Sequence, residues 1–133
     1  MTPDTAQDIL DSAFAHWVRA LQPVISEIGP QRCVMTIPIT AEINRIGNIV
    51  SGQALAALAD TAMVFACFGH LDAVEAVGTV TLDTQFLRPA TGDSIRAEAE
   101  VTRAGKSMIF ARATLIAQPS GKAVALATAT FAR

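Results

Sequence analysis

The strongest constraint on the fold is one apolar run, ALAALADTAMVFAC, at residues 54–67. The run is rich in alanine and has the length of a helix. Asp60 is its only charged residue, and Thr61 is its only other polar one. A carboxylate among apolar side chains is costly unless it is paired, solvated or neutralised. We interpret Asp60 as a catalytic candidate; the alternative is a structural carboxylate bonded to a buried backbone group or to a subunit partner.

The composition excludes several classes of protein. Of the 133 residues, 51% are hydrophobic and 17% are charged, which is typical of a globular domain rather than a disordered chain. The formal net charge is −2 and no basic run occurs, so we expect no nucleic-acid partner. No apolar stretch has membrane-spanning length, since residues 54–67 are too few and contain Asp60. The high apolar fraction favours subunit interfaces, although alanine-rich packing would give the same composition.

The two cysteines, Cys33 and Cys67, are far apart and form no CxxC pair. We interpret them as reduced, buried thiols and expect a cytoplasmic protein. The first eleven residues are acidic and polar, so they do not resemble a signal peptide. No metal-ligand cluster or phosphate-binding loop is apparent, and we expect neither a metal nor a cofactor.

The first half of the chain predicts two helices separated by two strands. A broad apolar stripe predicts an N-terminal helix over about residues 3–21, with Asp4 as a possible cap. Short strands are predicted at 24–28 and 33–39, followed by a loop over 40–50. The central helix is predicted over about residues 51–68, with Ser51 as its N-cap and Gly69 as its stop.

Everything after Gly78 predicts sheet. Strands are predicted at 79–87, 95–102, 108–117 and 123–131, and the turns between them predict three successive antiparallel hairpins. Residues 95–102 alternate between apolar and polar side chains, which indicates that one sheet face is covered and the other is wet. The chain is therefore predicted to be a single α+β domain over residues 1–133, in which a curved antiparallel sheet wraps around the central helix.

Three motifs together resemble a known family. Residues 47–67 contain LADTA, residues 79–93 contain FLRP, and RAGK occupies residues 103–106. This set resembles hotdog-fold acyl-CoA thioesterases, most closely the phenylacetate-degradation branch, and covers nearly all of the chain after Val24. The resemblance implies a hotdog fold of about six strands around a long helix, here with an extra N-terminal helix. One departure stands out, because Ser51-Gly52-Gln53 replaces the usual His-Gly-Gly.

The resemblance also implies roles for the helix residues. Asp60 is the nucleophile or general base, and the Gly52 amide is the oxyanion donor, which the helix dipole favours. These two residues are eight positions apart, or about 12 Å along one helix at ~1.5 Å per residue. One carbonyl cannot reach both, so we expect Gly52 from one subunit to face Asp60 of another, as in a two-fold dimer. The resemblance implies the same homodimer, with pairing into a homotetramer as a further option.

Further residues are candidates for substrate contact, each with a plainer alternative. Asn44 orients substrate or forms a turn, Ser51 contacts substrate or caps the helix, and Gln53 binds the thioester or fills the first turn. Thr61 bonds a helix carbonyl or the reaction water. Three cations and the glycine of the G-K turn are candidates for coenzyme A binding, because cations suit its phosphates; the alternative is that these residues are solvated surface near turns. They are Arg88, Arg103, Gly105 and Lys106.

The leading hypothesis from the sequence is hydrolysis of a small or medium acyl-CoA, including aryl ones, in which coenzyme A is part of the substrate rather than a cofactor. The alternative is a non-catalytic hotdog module that binds acyl-CoA or another apolar ligand, which the loss of His and of the second Gly favours. A hotdog dehydratase or hydratase ranks last, because these enzymes pair an Asp with a His a few residues on and no such pair follows Asp60 within its helix. His16 and His70 lie outside the motif and are interpreted as surface or partly buried residues rather than catalysts.

Overall fold

The computed structural model describes all of residues 1–133. The elements in chain order are α1 Pro3–Ala13, α2 His16–Arg19, β1 Val24–Gly29, β2 Arg32–Pro38, a 3-10 turn Ala41–Ile43, β3 Asn44–Arg45, β4 Ile49–Val50, α3 Gly52–Leu71, β5 Gly78–Phe86, β6 Ser94–Ala104, β7 Met108–Gln118 and β8 Ala123–Ala132. Six strands form one antiparallel sheet in the order β1-β2-β6-β7-β8-β5, and β3 and β4 form a separate two-residue ladder. This is the predicted α+β hotdog architecture, with α3 held against one face of the curved sheet.

Alanine rows let α3 approach the sheet closely. Ala99, Ala113 and Ala127 are register partners across β6, β7 and β8, and all three are buried. They belong to one hydrophobic core together with the alanines and larger side chains of α3. The alternation predicted for β6 is confirmed, because its apolar residues are buried and its polar residues are more accessible. Only the inner face of the sheet is therefore covered by the helix.

The central helix is longer than predicted. It continues through Gly69 to Leu71, and Asp72 ends it in a left-handed conformation with φ of 49°. Gly69 is not a stop but a point of close packing, since a Cβ there would clash with the Gly29 carbonyl oxygen. At 20 residues, α3 is long and apolar enough to cross a membrane by length and composition alone, whereas the sequence predicted no stretch of that length. Most of α3 is, however, buried inside the fold.

The N-terminal region is also corrected. The predicted helix over 3–21 is two helices, because the chain is extended at Phe14, which turns its ring onto Phe65 with centroids 5.1 Å apart. Thr2, not Asp4, caps α1 by accepting a hydrogen bond from the Thr5 amide. Trp17 lies within the range predicted as the N-terminal helix, but it is on α2 beyond the break and is 62% exposed.

The first of the three predicted hairpins is wrong. β5 pairs with β8, and β6 lies between β2 and β7, so the segment after β5 passes β8 and β7 to reach β6 instead of turning back. Ala90 anchors this crossing: it is 1% exposed, and its carbonyl oxygen accepts a hydrogen bond from the Val50 amide at 3.0 Å. The other two hairpins, β6–β7 and β7–β8, are confirmed.

The two edges of the sheet differ in their cover. On the β1 edge, the Gln7 side chain of α1 accepts a hydrogen bond from the Ile25 amide at 2.8 Å and donates one to the Pro23 carbonyl at 3.0 Å. On the β5 edge nothing comparable lies within the chain, and eight of the nine residues of β5 are exposed. An exposed strand edge that carries large apolar side chains is a ready site for pairing with another strand.

Candidate active site

Asp60 lies on α3 and faces the first residues of β5. The Thr79 hydroxyl donates a hydrogen bond to Asp60 Oδ1 at 2.9 Å. Burial raises the pKa of Asp60, and the hydrogen bond from Thr79 opposes that rise. A carboxyl group that is partly desolvated, yet still ionisable and fixed in direction, has the properties of a general base or nucleophile.

Gly52 is the first residue of α3 and lies near the other end of β5. The predicted N-cap is confirmed, because Ser51 Oγ accepts a hydrogen bond from the Ala54 amide at 3.3 Å. The Gly52 amide belongs to the first turn of the helix, where N–H groups have no intrahelical acceptor. A Cβ on Gly52 would lie 3.3 Å from Cζ of Phe86, so glycine allows this ring to rest against the helix start. The helix therefore offers a free donor at its positive end.

The two halves of the expected catalytic pair lie at opposite ends of β5. Thr79 near the start of the strand holds Asp60, and Phe86 at its end contacts Gly52. The separation of the two along α3 remains the one expected from the sequence, because both belong to the same unbroken helix. A single protomer therefore does not bring the acid and the amide to one carbonyl.

Asn44 lies on β3, opposite Val50 in the short ladder that precedes α3. Its Oδ1 atom is buried and has no hydrogen-bond partner. Buried polar atoms are rarely left without a partner, and the oxygen and nitrogen of an amide are assigned from their neighbours. Whichever atom occupies that position, Asn44 retains an unused hydrogen-bonding group beside the helix start.

The remaining helix candidates differ in accessibility. Gln53 is exposed in the first turn of α3. Thr61 is 5% exposed, and its hydroxyl donates to the Ala57 carbonyl at 2.7 Å, so it bonds a helix carbonyl, the plainer of its two predicted roles.

The two cysteines are unsuited to act as nucleophiles. Burial raises the pKa of Cys33 and that of Cys67 to about 12. Both thiols are therefore protonated near neutral pH and are poor nucleophiles.

The candidate cations fall into two groups. Arg103 lies near the end of β6, and Gly105 and Lys106 belong to the β6–β7 connection, which is closed by a hydrogen bond from the Gly105 amide to the Met108 carbonyl at 2.7 Å. Met108 and the first residue of β5 both pair with Ala132, so this connection lies at the Asp60 end of β5. Arg88 follows the other end of β5 and lines a groove of about 320 Å³ that includes Gly52. Within one protomer, the two groups are not brought together.

The profile of the thioesterase superfamily matches residues 47–124, which include α3, β5 and the cation-bearing turns. The chain belongs to the thioesterase superfamily. Membership indicates thioester hydrolysis as the general class of reaction. No curated sequence matches the chain significantly.

Solved structures support the same family. The PaaI protein of the Escherichia coli phenylacetic acid degradation operon is 27% identical, with a TM-score of 0.81 over 98% of this chain and 95% of that one. A thioesterase family protein of Silicibacter pomeroyi is 25% identical, with a TM-score of 0.85 over 97% and 95%. Zebrafish thioesterase superfamily member 2, at 20% identity, shares the fold with a TM-score of 0.88 over 99% and 98%. The chain therefore has the hotdog fold and belongs to the thioesterase superfamily, and its similarity to PaaI agrees with the resemblance to the phenylacetate-degradation branch.

Sequence reasoning missed Thr79, Phe86 and Arg45. Thr79 and Phe86 are recognisable only once β5 is known to run beside α3 with these side chains on its inner face. Arg45 lines the same groove as Arg88. It lies in a segment that was predicted to be a loop and that folds as the short β3–β4 ladder.

Proposed function

We propose that the protein hydrolyses small or medium acyl-CoA thioesters, aryl ones included, to the free acid and coenzyme A. The observation that carries this proposal is the Asp60 carboxylate, partly desolvated and oriented by Thr79 on a helix whose first amide is free. Asp60 acts as general base or nucleophile, and the Gly52 amide of a partner subunit stabilises the oxyanion.

The proposed active unit is a homodimer formed through the exposed β5 edges. Antiparallel pairing of β5 with its copy would place the Thr79 end of one strand beside the Phe86 end of the other. Asp60 of each subunit would then approach Gly52 of the partner subunit, and two equivalent sites would form. The exposed apolar side chains Val80, Leu82 and Phe86 support burial of this edge. Pairing of two such dimers would give a homotetramer.

The proposed chemistry conserves atoms and charge. In the base-assisted path, Asp60 takes a proton from water while the water oxygen bonds to the thioester carbon. Collapse of the oxyanion breaks the carbon–sulfur bond, and the leaving thiolate takes the proton from Asp60. In the nucleophilic path, the Asp60 carboxylate itself attacks the thioester carbon, and the carbon–sulfur bond breaks to release the thiolate and leave an anhydride. Water then hydrolyses the anhydride to the free acid and the Asp60 carboxylate, and the proton released in this step balances the one that the thiolate takes up. Both paths use the same donor for the oxyanion.

The other candidate residues support this reaction from around the site. Asn44 has a free polar atom beside the helix start and is proposed to orient substrate or water. Ser51 and Gln53 stand where the related family has His and Gly, and we propose that they shape the pocket wall. Thr61, bonded to its own helix, is a secondary candidate. In the dimer, Arg103 at the end of β6 and Gly105 and Lys106 of the β6–β7 connection would lie near Arg88 of the partner subunit. This combined set is proposed to bind coenzyme A.

A non-catalytic ligand-binding module is the second candidate function. The replacement of His-Gly-Gly by Ser51-Gly52-Gln53 favours it. A thiol-release assay on a panel of acetyl-, butyryl-, octanoyl- and phenylacetyl-CoA separates the two. Release of one thiol per free acid formed, saturable in substrate, is the expected result. Saturable binding without release for every member of the panel would favour the module.

Loss of the Thr79 hydroxyl is expected to change the pH dependence of the reaction. In Thr79→Val the pKa of Asp60 should rise, because the hydrogen bond that lowers it is gone. The acid limb of the kcat/KM profile should therefore move to higher pH. The rate near neutral pH should fall about tenfold, which is the effect expected when a hydrogen bond to a charged group is lost.

Thr81→Val is the matched control, since Thr81 lies on the same exposed strand and has no bond to Asp60. Its pH profile should match that of the wild type. An unshifted acid limb in Thr79→Val would contradict the assigned role of Thr79 in tuning the carboxylate.

A further inference from the structure

The groove at the start of α3 has an apolar lining and two arginines. Its lining includes Ile49, Leu55, Phe86 and Leu87 together with Gly52, and Arg45 and Arg88 are its only charged residues. No aspartate or glutamate lines it. Two guanidinium groups in one groove repel each other, and an anionic group bound between them would remove that cost.

These arginines lack the partners that most other arginines of the chain have. Arg45 and Arg88 are both exposed, and neither forms a salt bridge. By contrast, each of the following arginines is paired with a glutamate: Arg32, Arg96, Arg112 and Arg133. The larger depression on the outer face of the sheet, about 370 Å³, contains two of those arginines and two glutamates, Glu98 and Glu100. Its charges are already balanced, whereas those of the groove are not.

The two walls of the groove are linked by a backbone hydrogen bond. Arg45 is paired with Ile49 in the β3–β4 ladder, and its Nη1 donates to the Ile46 carbonyl at 3.0 Å, which leaves its other donors free. The opposite wall carries Arg88, and the Val50 amide donates to the Ala90 carbonyl across the gap at 3.0 Å. This link fixes the two segments that carry the arginines relative to each other.

We propose that Arg45 and Arg88 together bind one anionic group of the substrate, in the groove that contains the Gly52 amide. The recognised chemistry is a phosphate or a carboxylate, which the guanidinium fork binds through paired hydrogen bonds. Two parts of a substrate supply it: the phosphates of coenzyme A, or a carboxylate at the far end of the acyl group. The inference rests on the proposed function and adds Arg45 to its specificity residues.

Four thioesters separate the two sources. Butyryl and succinyl groups are each attached to coenzyme A and to N-acetylcysteamine, so that phosphate and carboxylate are varied independently. In Arg45→Gln and in Arg88→Gln, KM is expected to rise about tenfold for the substrates that carry the recognised anion, with little change in kcat. If KM rises only for the two coenzyme A thioesters, the recognised anion is phosphate. If KM rises only for the two succinyl thioesters, the recognised anion is carboxylate. Butyryl-N-acetylcysteamine, which carries neither anion, should be unaffected.

Lys122→Gln is the matched control. Lys122 is an exposed cation in the β7–β8 connection and does not line the groove. It lies at the same end of the fold, because the amide of the groove residue Leu87 donates to the carbonyl of nearby Val124. Its KM values should not change. An equal effect of the arginine variants on all four substrates, or no effect on any, would overturn the inference.

If the wild type hydrolyses none of the four thioesters, the proposed function fails, but the inference is still decided by calorimetry with the same four compounds. A Kd about tenfold weaker in Arg45→Gln than in Lys122→Gln, for the anionic compounds alone, supports it. Equal affinities in the two variants would refute it.

Discussion

Asp60→Asn is expected to lower kcat for acyl-CoA hydrolysis by about 10³-fold, the range seen when a general base or nucleophile is lost. Asparagine keeps the shape of the side chain and an oxygen that accepts the hydrogen bond from Thr79, so the site geometry should persist. It has no carboxylate to take a proton from water or to attack the thioester. The measurement is single-turnover thiol release by the wild type and the variant at equal enzyme concentration.

The matched control is Asp8→Asn, which removes an exposed helical carboxylate from α1. Its activity should equal that of the wild type. If Asp60→Asn turned over at the wild-type rate, Asp60 would have no part in the reaction, and the non-catalytic use of this carboxylate would be the correct interpretation.

The same variant should show a pH-dependent difference in stability. Burial raises the pKa of Asp60 in the folded state, so the folded protein favours the neutral carboxyl group. The stability associated with that preference is present below about pH 4 and is lost as pH rises through the raised value. Asparagine is neutral throughout, so the Tm of Asp60→Asn relative to wild type should increase from low to neutral pH. Thermal unfolding at several pH values checks the sign.

The main elements of the fold were predictable because their signals are local. The alanine-rich run from residue 54 predicts a buried helix, and the alternation of residues 95–102 predicts a strand with one wet face. Ser51 marks the helix start because its side chain caps the first turn, a contact made within three residues. The end of the helix was misplaced because Gly69 has a tertiary function, the close approach of the β1–β2 turn, which no local pattern records.

The site was less predictable than the fold because strand order is a non-local property. Consecutive strands often form hairpins, and that expectation fails at β5, which pairs with β8. Without that pairing, Thr79 and Phe86 have no known relation to Asp60 and Gly52. The spacing of the acid and the amide on one helix was nevertheless enough to predict that a single chain is incomplete, because helix rise is a fixed quantity.

Mixed dimers provide the sharpest test of that incompleteness. Asp60→Asn and Gly52→Pro homodimers should each be inactive, and mixing the two chains should restore activity. A heterodimer has one site with both the acid and the amide, and one site with neither. Random re-assortment at equal amounts makes about half of the dimers mixed, so about a quarter of the wild-type activity should return. The assay is thiol release after the chains are dissociated and reassembled together, compared with each variant alone.

Proline is chosen at Gly52 because it removes the donor with little disturbance of the helix. Position 52 is the first residue of α3, where proline is well tolerated. Ser51 has φ of −64° and ψ of 146°, an extended conformation that suits a residue before proline. Gly52→Pro is expected to lower kcat by about 10²-fold or more, as for loss of an oxyanion donor. Gly52→Ala is the control, since it keeps the amide and adds only the Cβ that approaches Phe86 at 3.3 Å.

The outcomes distinguish where the reaction takes place. If Gly52→Ala loses as much activity as Gly52→Pro, displacement of Phe86 rather than loss of the amide explains the defect. If mixing restores nothing while size-exclusion chromatography of differently tagged chains shows that heterodimers form, the acid and the amide do not act on one carbonyl across the interface. Recovery near a quarter has a single explanation, because only a site built from both chains joins an intact Asp60 to an intact Gly52.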